Sequence, residues 1–182
     1  GLRLPVSANL SARLLDDNEL PARVFRGLAA RGLPASLLTL ELTETALMSN
    51  LEQAQKVLGE LIGGGVRVSI DDFGAGFTSF KYLRQLEVSE IKIDMAFTSD
   101  MSSGSRDSVI VRSIATLASG FGIPAVAEGI ENLANCQTLL ELGCHSGQGY
   151  GIARPMAGEA IPEWIARWES AVIEPCTPKT VH

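Results

Sequence analysis

The sequence predicts an α/β fold built on a parallel sheet, and two patterns along its 182 residues support this prediction. Short apolar runs alternate six times with longer segments in which apolar residues recur at helical spacing. Such alternation is typical of a parallel sheet that is either open and doubly wound or closed as a barrel. About six βα units are expected, roughly two fewer than an eight-unit barrel of about 250 residues contains.

Three strands and two helices are predicted in the first half of the chain. The strands are residues 3–10, 37–42 and 66–70. The first helix would follow an N-cap at Asp16 or Asp17 and end near Gly32. The second would begin at Asn50 and end at the glycine run 63–65.

The second half of the chain continues the alternation. Gly74 and Gly76 interrupt the third strand, and Thr78 or Ser79 would cap a helix that passes through residues 83–86. The later strands are residues 90–94, 124–127 and, more weakly, 144–150, and the helices are 105–121, 132–142 and 161–168.

Composition excludes several classes of function. The net charge of −6 argues against an extended nucleic-acid surface, and no apolar run is long enough for a membrane span. Three cysteines without C-x-x-C spacing indicate neither a disulfide framework nor a thiolate zinc site, so a reducing cytoplasm is the expected compartment. Because the chain contains only two histidines, a metal site would consist mainly of oxygen ligands, which suit magnesium, manganese or calcium.

Polar side chains stand at the carboxyl end of every predicted strand. They are Asn9, Glu41, Asp71, Asp72, Lys92, Glu128 and Gln148. In parallel α/β folds these ends share one edge of the sheet, where active sites collect. Any one of these residues is more simply a solvated strand end, so the prediction depends on the whole set. Four strand-end carboxylates would repel one another unless cations lay between them, which predicts a hard-cation site with a charge-stabilising lysine beside it.

Two other motif interpretations of the central loop fit less well. Gly74-Ala-Gly76 lies between a strand and a helix like a dinucleotide fingerprint, but Ser79 occupies the third glycine position. Asp72-Phe73-Gly74 spells the kinase magnesium motif, yet the chain has no H-R-D catalytic loop.

Six motifs, in order, resemble those of the EAL-domain family, bacterial phosphodiesterases of cyclic di-GMP. They are Asn9-Leu-Ser-Ala, Glu41-Leu-Thr-Glu, Asp71-Asp-Phe-Gly-Ala-Gly, Lys92-Ile-Asp, Ala127-Glu-Gly-Ile-Glu and Gln148-Gly-Tyr-Gly. The resemblance covers residues 4–168 and implies a TIM-like (β/α)8 barrel of EAL type, of which this chain holds about six units.

The resemblance also implies roles for individual residues. Metal ligands would be Asn9, Glu41, Asp71, Asp72 and Glu128, and catalytic residues would be Lys92, Glu128 and Asp72. Gln148, Glu44, Asp94, Gly74 and Gly76 would support the substrate or the site, with Glu44 steadying the central loop. Two magnesium or manganese ions would serve hydrolysis of cyclic di-GMP to linear pGpG, and calcium would inhibit it.

The chain departs from the family pattern at its start. It begins with Gly1 and lacks the Glu-Ala-Leu signature and the arginine that follows it, so we expect a piece of a longer protein with impaired activity. Residues 1–172 would form a partial EAL domain and 173–182 a tail, with sensory or diguanylate cyclase domains attached in the parent protein. Strand edges near Val6 and Gln148 favour a homodimer or a domain-swapped association. The alternative function is a catalytically inactive cyclic di-GMP receptor or a protein-interaction module.

Overall fold

Six parallel strands, hydrogen-bonded in sequence order, form one curled sheet in the computed structural model. The strands are β1 (Val6–Asn9), β2 (Leu38–Thr43), β3 (Arg67–Phe73), β4 (Glu90–Ile93), β5 (Ala125–Ala127) and β6 (Ser146–Gly147). The structure describes residues 3–49, 51–75, 83–99 and 104–170. Each predicted strand has its counterpart in the sheet, so the predicted parallel α/β architecture is confirmed.

Helices connect the strands. They are α1 (Leu20–Ala29), α2 (Glu44–Ser49), α3 (Leu51–Gly63), α4 (Met95–Thr98), α5 (Arg106–Gly120), α6 (Cys136–Leu142) and α7 (Ile161–Ser170). Short 3-10 helices occupy Ala12–Asp16, Ala35–Leu37, Leu133–Asn135 and Gly158–Ala160. Local chemistry sets the ends of these helices: the Ser105 hydroxyl accepts a hydrogen bond from the Ser108 N–H at the start of α5, and Gly143 adopts a left-handed φ of 103° after α6.

The prediction of a helix between β3 and β4 is wrong for residues 83–86, the part of that helix that the structure describes. Residues 83–86 form turns, although Leu83 and Leu86 are buried in the core as expected. The Ser89 N–H already bonds the Val68 carbonyl at 2.7 Å, so the chain must be extended soon after residue 86. The predicted caps at Thr78 and Ser79 lie outside the described residues.

The pleat of the strands separates an apolar face from a polar one. Leu40 and Leu42 of β2 and Ile91 and Ile93 of β4 are almost fully buried in the apolar core. Because successive side chains in a strand alternate between faces, the residues between these pairs, Glu41 and Lys92, point to the other face. The sequence pattern that builds the core therefore also directs charged side chains to the opposite side of the sheet.

The sheet ends at two edge strands, β1 and β6. All four residues of β1 are exposed, and Val6 retains 60% of its surface exposure. Among the described residues, no helix combines the length and the apolar character needed to cross a bilayer.

Candidate metal centre

Lys92 lies at the centre of the polar face. Its Nζ is 2.7 Å from Glu128 Oε1, 2.9 Å from Asp71 Oδ1 and 3.3 Å from Glu41 Oε2. The three carboxylates come from β2, β3 and the residue after β5, while the lysine belongs to β4, which pairs with β3 and β5. A single buried ammonium therefore binds carboxylates from three other segments of the sheet.

The charge of Lys92 is stabilised by these partners. Burial by itself would lower the pKa of the ammonium, but the hydrogen bonds and charges of Glu128 and Asp71 outweigh burial and raise the pKa above its ordinary value. Lys92 is therefore a fixed positive charge at neutral pH.

Asp71 and Asp72 occupy an irregular part of β3. Ile70 pairs with Ile91 and Phe73 with Ile93, so β3 contains one more residue than β4 over this interval. Asp72 has a left-handed φ of 53°, a conformation that aspartate tolerates better than most residues. In a regular strand, consecutive side chains would point to opposite faces, whereas here both carboxylates join one cluster. The strand is also longer than predicted, so the two aspartates lie inside β3 instead of following it.

Glu128 completes the cluster. Each of Asp71, Asp72 and Glu128 offers a carboxylate oxygen, and these oxygens all lie within 4.8 Å of one another. The Thr98 hydroxyl at the end of α4 donates a hydrogen bond to the Glu128 backbone carbonyl, and the Glu128 N–H bonds the carbonyl of Ile93 in β4 at 3.2 Å. These two bonds hold Glu128 beside β4 and α4. The three carboxylates are hard oxygen donors with the spacing that a divalent cation needs.

Among the residues that the structure describes, the cluster has more negative than positive charge. Burial raises the pKa of Glu128, and Asp71 and Asp72 raise it further, against the opposing effect of Lys92. Burial also raises the pKa of Asp72, with added repulsion from Asp71 and Asp94. One ammonium does not offset the surrounding carboxylates, which is the electrostatic environment that a bound cation would relieve.

Asn9 and Glu41 extend the site toward β1. They pair directly in the β1–β2 register and line a cleft of about 580 Å³ with Thr43 and Thr45. Both predicted ligands thus lie toward the carboxyl-terminal ends of the strands, as the carboxylate cluster does. Glu41 is linked to the cluster by its ion pair with Lys92.

Glu44 lies in a second cavity beside the cluster, with a volume of about 290 Å³, which Asp72, Ala75 and Asp94 also line. Glu44 is only 3% exposed, and neither of its carboxylate oxygens has a hydrogen-bond partner in the described structure. Asp94, unlike Glu44, has a hydrogen-bond partner: it caps α4, where its Oδ1 accepts a hydrogen bond from the Ala96 N–H at 2.8 Å.

The other residues predicted to support the site are Gly74, Gln148 and Gly76, and the structure describes the backbone of the first two. Gly74 has a φ of 98°, and a Cβ there would lie 3.0 Å from Ile114 Cδ1, so a side chain would be strained and crowded. Gln148 is exposed, and its backbone bonds Ala127 and Ile130. Gly76 lies outside the described residues.

Sequence reasoning missed Thr98 and the central position of Lys92. The Asp94 cap could have predicted a short helix after β4, but no spacing signal links Thr98 to Glu128. The ion pairs of Lys92 depend on cross-strand register, which the sequence alone does not specify.

Comparison with known proteins agrees with this geometry. The sequence matches the EAL domain over residues 2–155. Cyclic di-GMP phosphodiesterase PA2567 of Pseudomonas aeruginosa is 34% identical over 90% of this chain and 28% of its own length. The chain spans about a quarter of the length of the curated relatives it matches.

Solved structures show the same fold. The PaMucR phosphodiesterase in complex with c-di-GMP superposes with a TM-score of 0.82 at 38% identity, covering 86% of this chain and 70% of that one. The manganese and cy-diGMP complex of Klebsiella pneumoniae BlrP1 gives a TM-score of 0.77 at 30% identity, covering 83% and 39%. The curled sheet of six strands therefore corresponds to part of an EAL barrel, and this chain belongs to the EAL domain family.

Proposed function

We propose that this chain carries the metal site of a phosphodiesterase that hydrolyses cyclic di-GMP to linear pGpG. The observation that carries the proposal is the convergence of Asp71, Asp72 and Glu128 within 4.8 Å, beside the buried ammonium of Lys92. Relatives named as cyclic di-GMP phosphodiesterases and similar structures in complex with this dinucleotide support the choice of substrate.

The donor set fits magnesium or manganese. Asp71, Asp72 and Glu128 would hold the ions, and Asn9 and Glu41 would contribute from the neighbouring strands, in a site for two ions. Carboxylate and amide oxygens are the ligands these cations prefer, and the BlrP1 complex contains manganese. When bound, such ions polarise a phosphoryl oxygen and lower the pKa of a bound water.

Lys92 would act directly on the reacting groups. Its ammonium stays charged at neutral pH and would donate a hydrogen bond to the attacking water or to a phosphate oxygen. Glu128 would serve as a further metal ligand or as the carboxylate that holds the attacking water. The two residues are 2.7 Å apart, so they would act on the same phosphate.

Water is the only co-reactant that the proposed hydrolysis consumes. The water oxygen attacks one phosphorus and forms a new P–O bond, while the bond from that phosphorus to the 3′ oxygen breaks. The proton lost by the water ends on the 3′ oxygen, which leaves a 5′ phosphate and a free 3′ hydroxyl in linear pGpG.

The test is hydrolysis of cyclic di-GMP in manganese, with pGpG measured by anion-exchange chromatography. We expect reduced but measurable turnover by the wild-type chain, which lacks the Glu-Ala-Leu segment, and a further loss of about a hundredfold in Asp71→Asn and Asp72→Asn, because each removes a metal ligand. Metal-dependent binding of cyclic di-GMP without turnover would instead support the receptor alternative. Failure of the wild type both to bind and to hydrolyse cyclic di-GMP would refute the proposal.

We also propose that copies of the chain associate through the sheet edges. β1 is exposed along its whole length, and β6 is the opposite edge. Unpaired edges favour strand addition. A monomer at all concentrations in analytical ultracentrifugation would contradict this proposal.

A further inference from the structure

Thr98 is a buried threonine beside the carboxylate cluster. It is the last residue of α4 and is only 1% exposed. Its hydroxyl donates a hydrogen bond to the backbone carbonyl of Glu128, and the Met95 carbonyl, at 3.5 Å, is the more distant acceptor. Because a hydroxyl has one proton, that proton goes to Glu128. Thr98 therefore bonds α4 to the backbone of one of the three clustered carboxylate residues.

Glu128 lies where the regular sheet ends. β5 stops at Ala127, although the Glu128 N–H still bonds the Ile93 carbonyl at 3.2 Å. Gly129 then has a left-handed φ of 64°, so the chain turns away from the strand direction. Among the described residues, Thr98 is the hydrogen-bond donor to the Glu128 carbonyl, and no backbone N–H bonds it. The sheet thus holds Glu128 on its amino side, and Thr98 holds it on its carboxyl side.

α4 also contacts the chain on the aspartate side of the cluster. A Cβ on Gly74, which closely follows the aspartate pair, would lie 3.2 Å from the Phe97 ring, so this side chain of α4 packs against the Gly74 backbone. On the other side, a Cβ on Gly129 would lie 2.5 Å from Met95 Cβ. This single helical turn therefore touches the segment after the aspartates and the segment after the glutamate, and it can hold the two sides of the cluster in a fixed relation.

We propose that Thr98 is a positioning residue for the metal centre: its hydroxyl orients Glu128 so that the carboxylate meets those of Asp71 and Asp72 around one cation. The proposal rests on the proposed function, because it assumes that these carboxylates hold a divalent ion. Hydrogen bonds to the residues around a metal set the direction of its ligands, and a ligand already in place binds without a further cost of ordering. The Thr98 hydroxyl is committed to the carbonyl, so it acts on the ion through Glu128 and not as a ligand.

The experiment is manganese titration of the full chain, followed by electron paramagnetic resonance of the free ion, at a temperature where circular dichroism shows the variants folded. Thr98→Val removes the hydroxyl and keeps a branched side chain. We expect its manganese affinity to fall by about tenfold, the lower limit for loss of a partner that orients a metal ligand. Thr98→Ala removes the same hydroxyl, should show a similar loss, and decides the result if Thr98→Val does not fold. Thr98→Ser keeps the hydroxyl and should stay within about threefold of the wild type.

Ser108→Ala is the matched control. Ser108 is 5% exposed, and its hydroxyl donates a hydrogen bond to the Ser105 carbonyl at 2.8 Å in the first turn of α5. The substitution removes a buried hydroxyl that bonds a backbone carbonyl outside the cluster, so manganese affinity should not change. Loss of stability alone would leave the manganese affinity of the folded chain unchanged in every variant, which separates positioning from a purely structural role.

Wild-type manganese affinity in a folded hydroxyl-free variant, Thr98→Val or Thr98→Ala, would overturn the role of Thr98 and leave the metal centre of the proposed function intact. An equal loss in Thr98→Ser and Thr98→Val would also overturn this role, because the hydroxyl would then not be the group that positions Glu128. If the wild type itself binds no manganese, the metal centre is wrong, and the role of Thr98 fails with it.

Discussion

Replacement of Lys92 by methionine tests the electrostatics of the site. Lys92→Met keeps the length of the side chain and removes the ammonium that binds Glu41, Asp71 and Glu128 at 2.7 to 3.3 Å. Removing one partner of a buried ion pair costs about 3 to 5 kcal/mol. The three carboxylates are 11% to 17% exposed and can recover some hydration, so we expect a loss near the lower limit, about 3 kcal/mol.

The assay is urea unfolding of wild type and Lys92→Met, in EDTA and in saturating manganese. Without the ammonium, the carboxylates should bind a cation more tightly, and ligand binding to the folded state alone adds stability. The stability gap between the two proteins should therefore narrow by at least about 1 kcal/mol in manganese.

Lys56→Met is the control for this experiment, because Lys56 is exposed and its Nζ bonds only a side-chain amide oxygen, that of Asn18 at 3.0 Å, in the described structure. We expect its stability to change by less than about 0.5 kcal/mol. If Lys92→Met were as stable as wild type in EDTA, or if manganese left the gap unchanged, the ammonium would not be the counter-charge of the cluster.

Two further predictions concern the scaffold. Burial raises the pKa of the Cys144 thiol from 9.0 to about 11, so the folded chain holds this proton more tightly than the unfolded chain. The associated stability is complete below pH 9 and is lost as pH rises toward 11, by about 2 to 3 kcal/mol, and urea unfolding across this range should show the loss in wild type but not in Cys144→Ala. Gly149→Ala should lower the thermal midpoint, because its Cβ would lie 2.3 Å from the Ile130 N, whereas Gly27→Ala, with open space in α1, should be neutral or stabilising by up to about 1 kcal/mol. An unchanged thermal midpoint in Gly149→Ala would show that the backbone around Gly149 is not in rigid contact with the backbone of Ile130.

The sheet could be predicted from sequence because its determinants are local. Apolar residues alternate with polar ones around Glu41 and Lys92, so the pleat directs both charges away from the core. Parallel strand order then gathers the polar strand ends at one edge. These two rules account for most of the candidate site, without any information about side-chain contacts.

The parts that sequence did not predict depend on tertiary geometry. Consecutive aspartates should point to opposite faces, and only the irregular register of β3 with the left-handed φ of Asp72 brings both to one cluster. The spacing of Leu83 and Leu86 suits a helix as well as a turn, and the early pairing of Ser89 with β3 decides between them. Gly149 and Gly151 resemble ordinary loop glycines until the close approach of Ile130 and Glu131 is seen.

Manganese binding by the isolated chain tests the central claim most directly. Electron paramagnetic resonance of free manganese during a titration counts the bound ions without requiring turnover or substrate. We expect saturable binding by the wild-type chain and loss of at least one ion in Asp72→Asn, which removes one of the three clustered carboxylates. Equal binding by the two proteins, or none by the wild type, would contradict the assignment of Asp71, Asp72 and Glu128 as a metal centre.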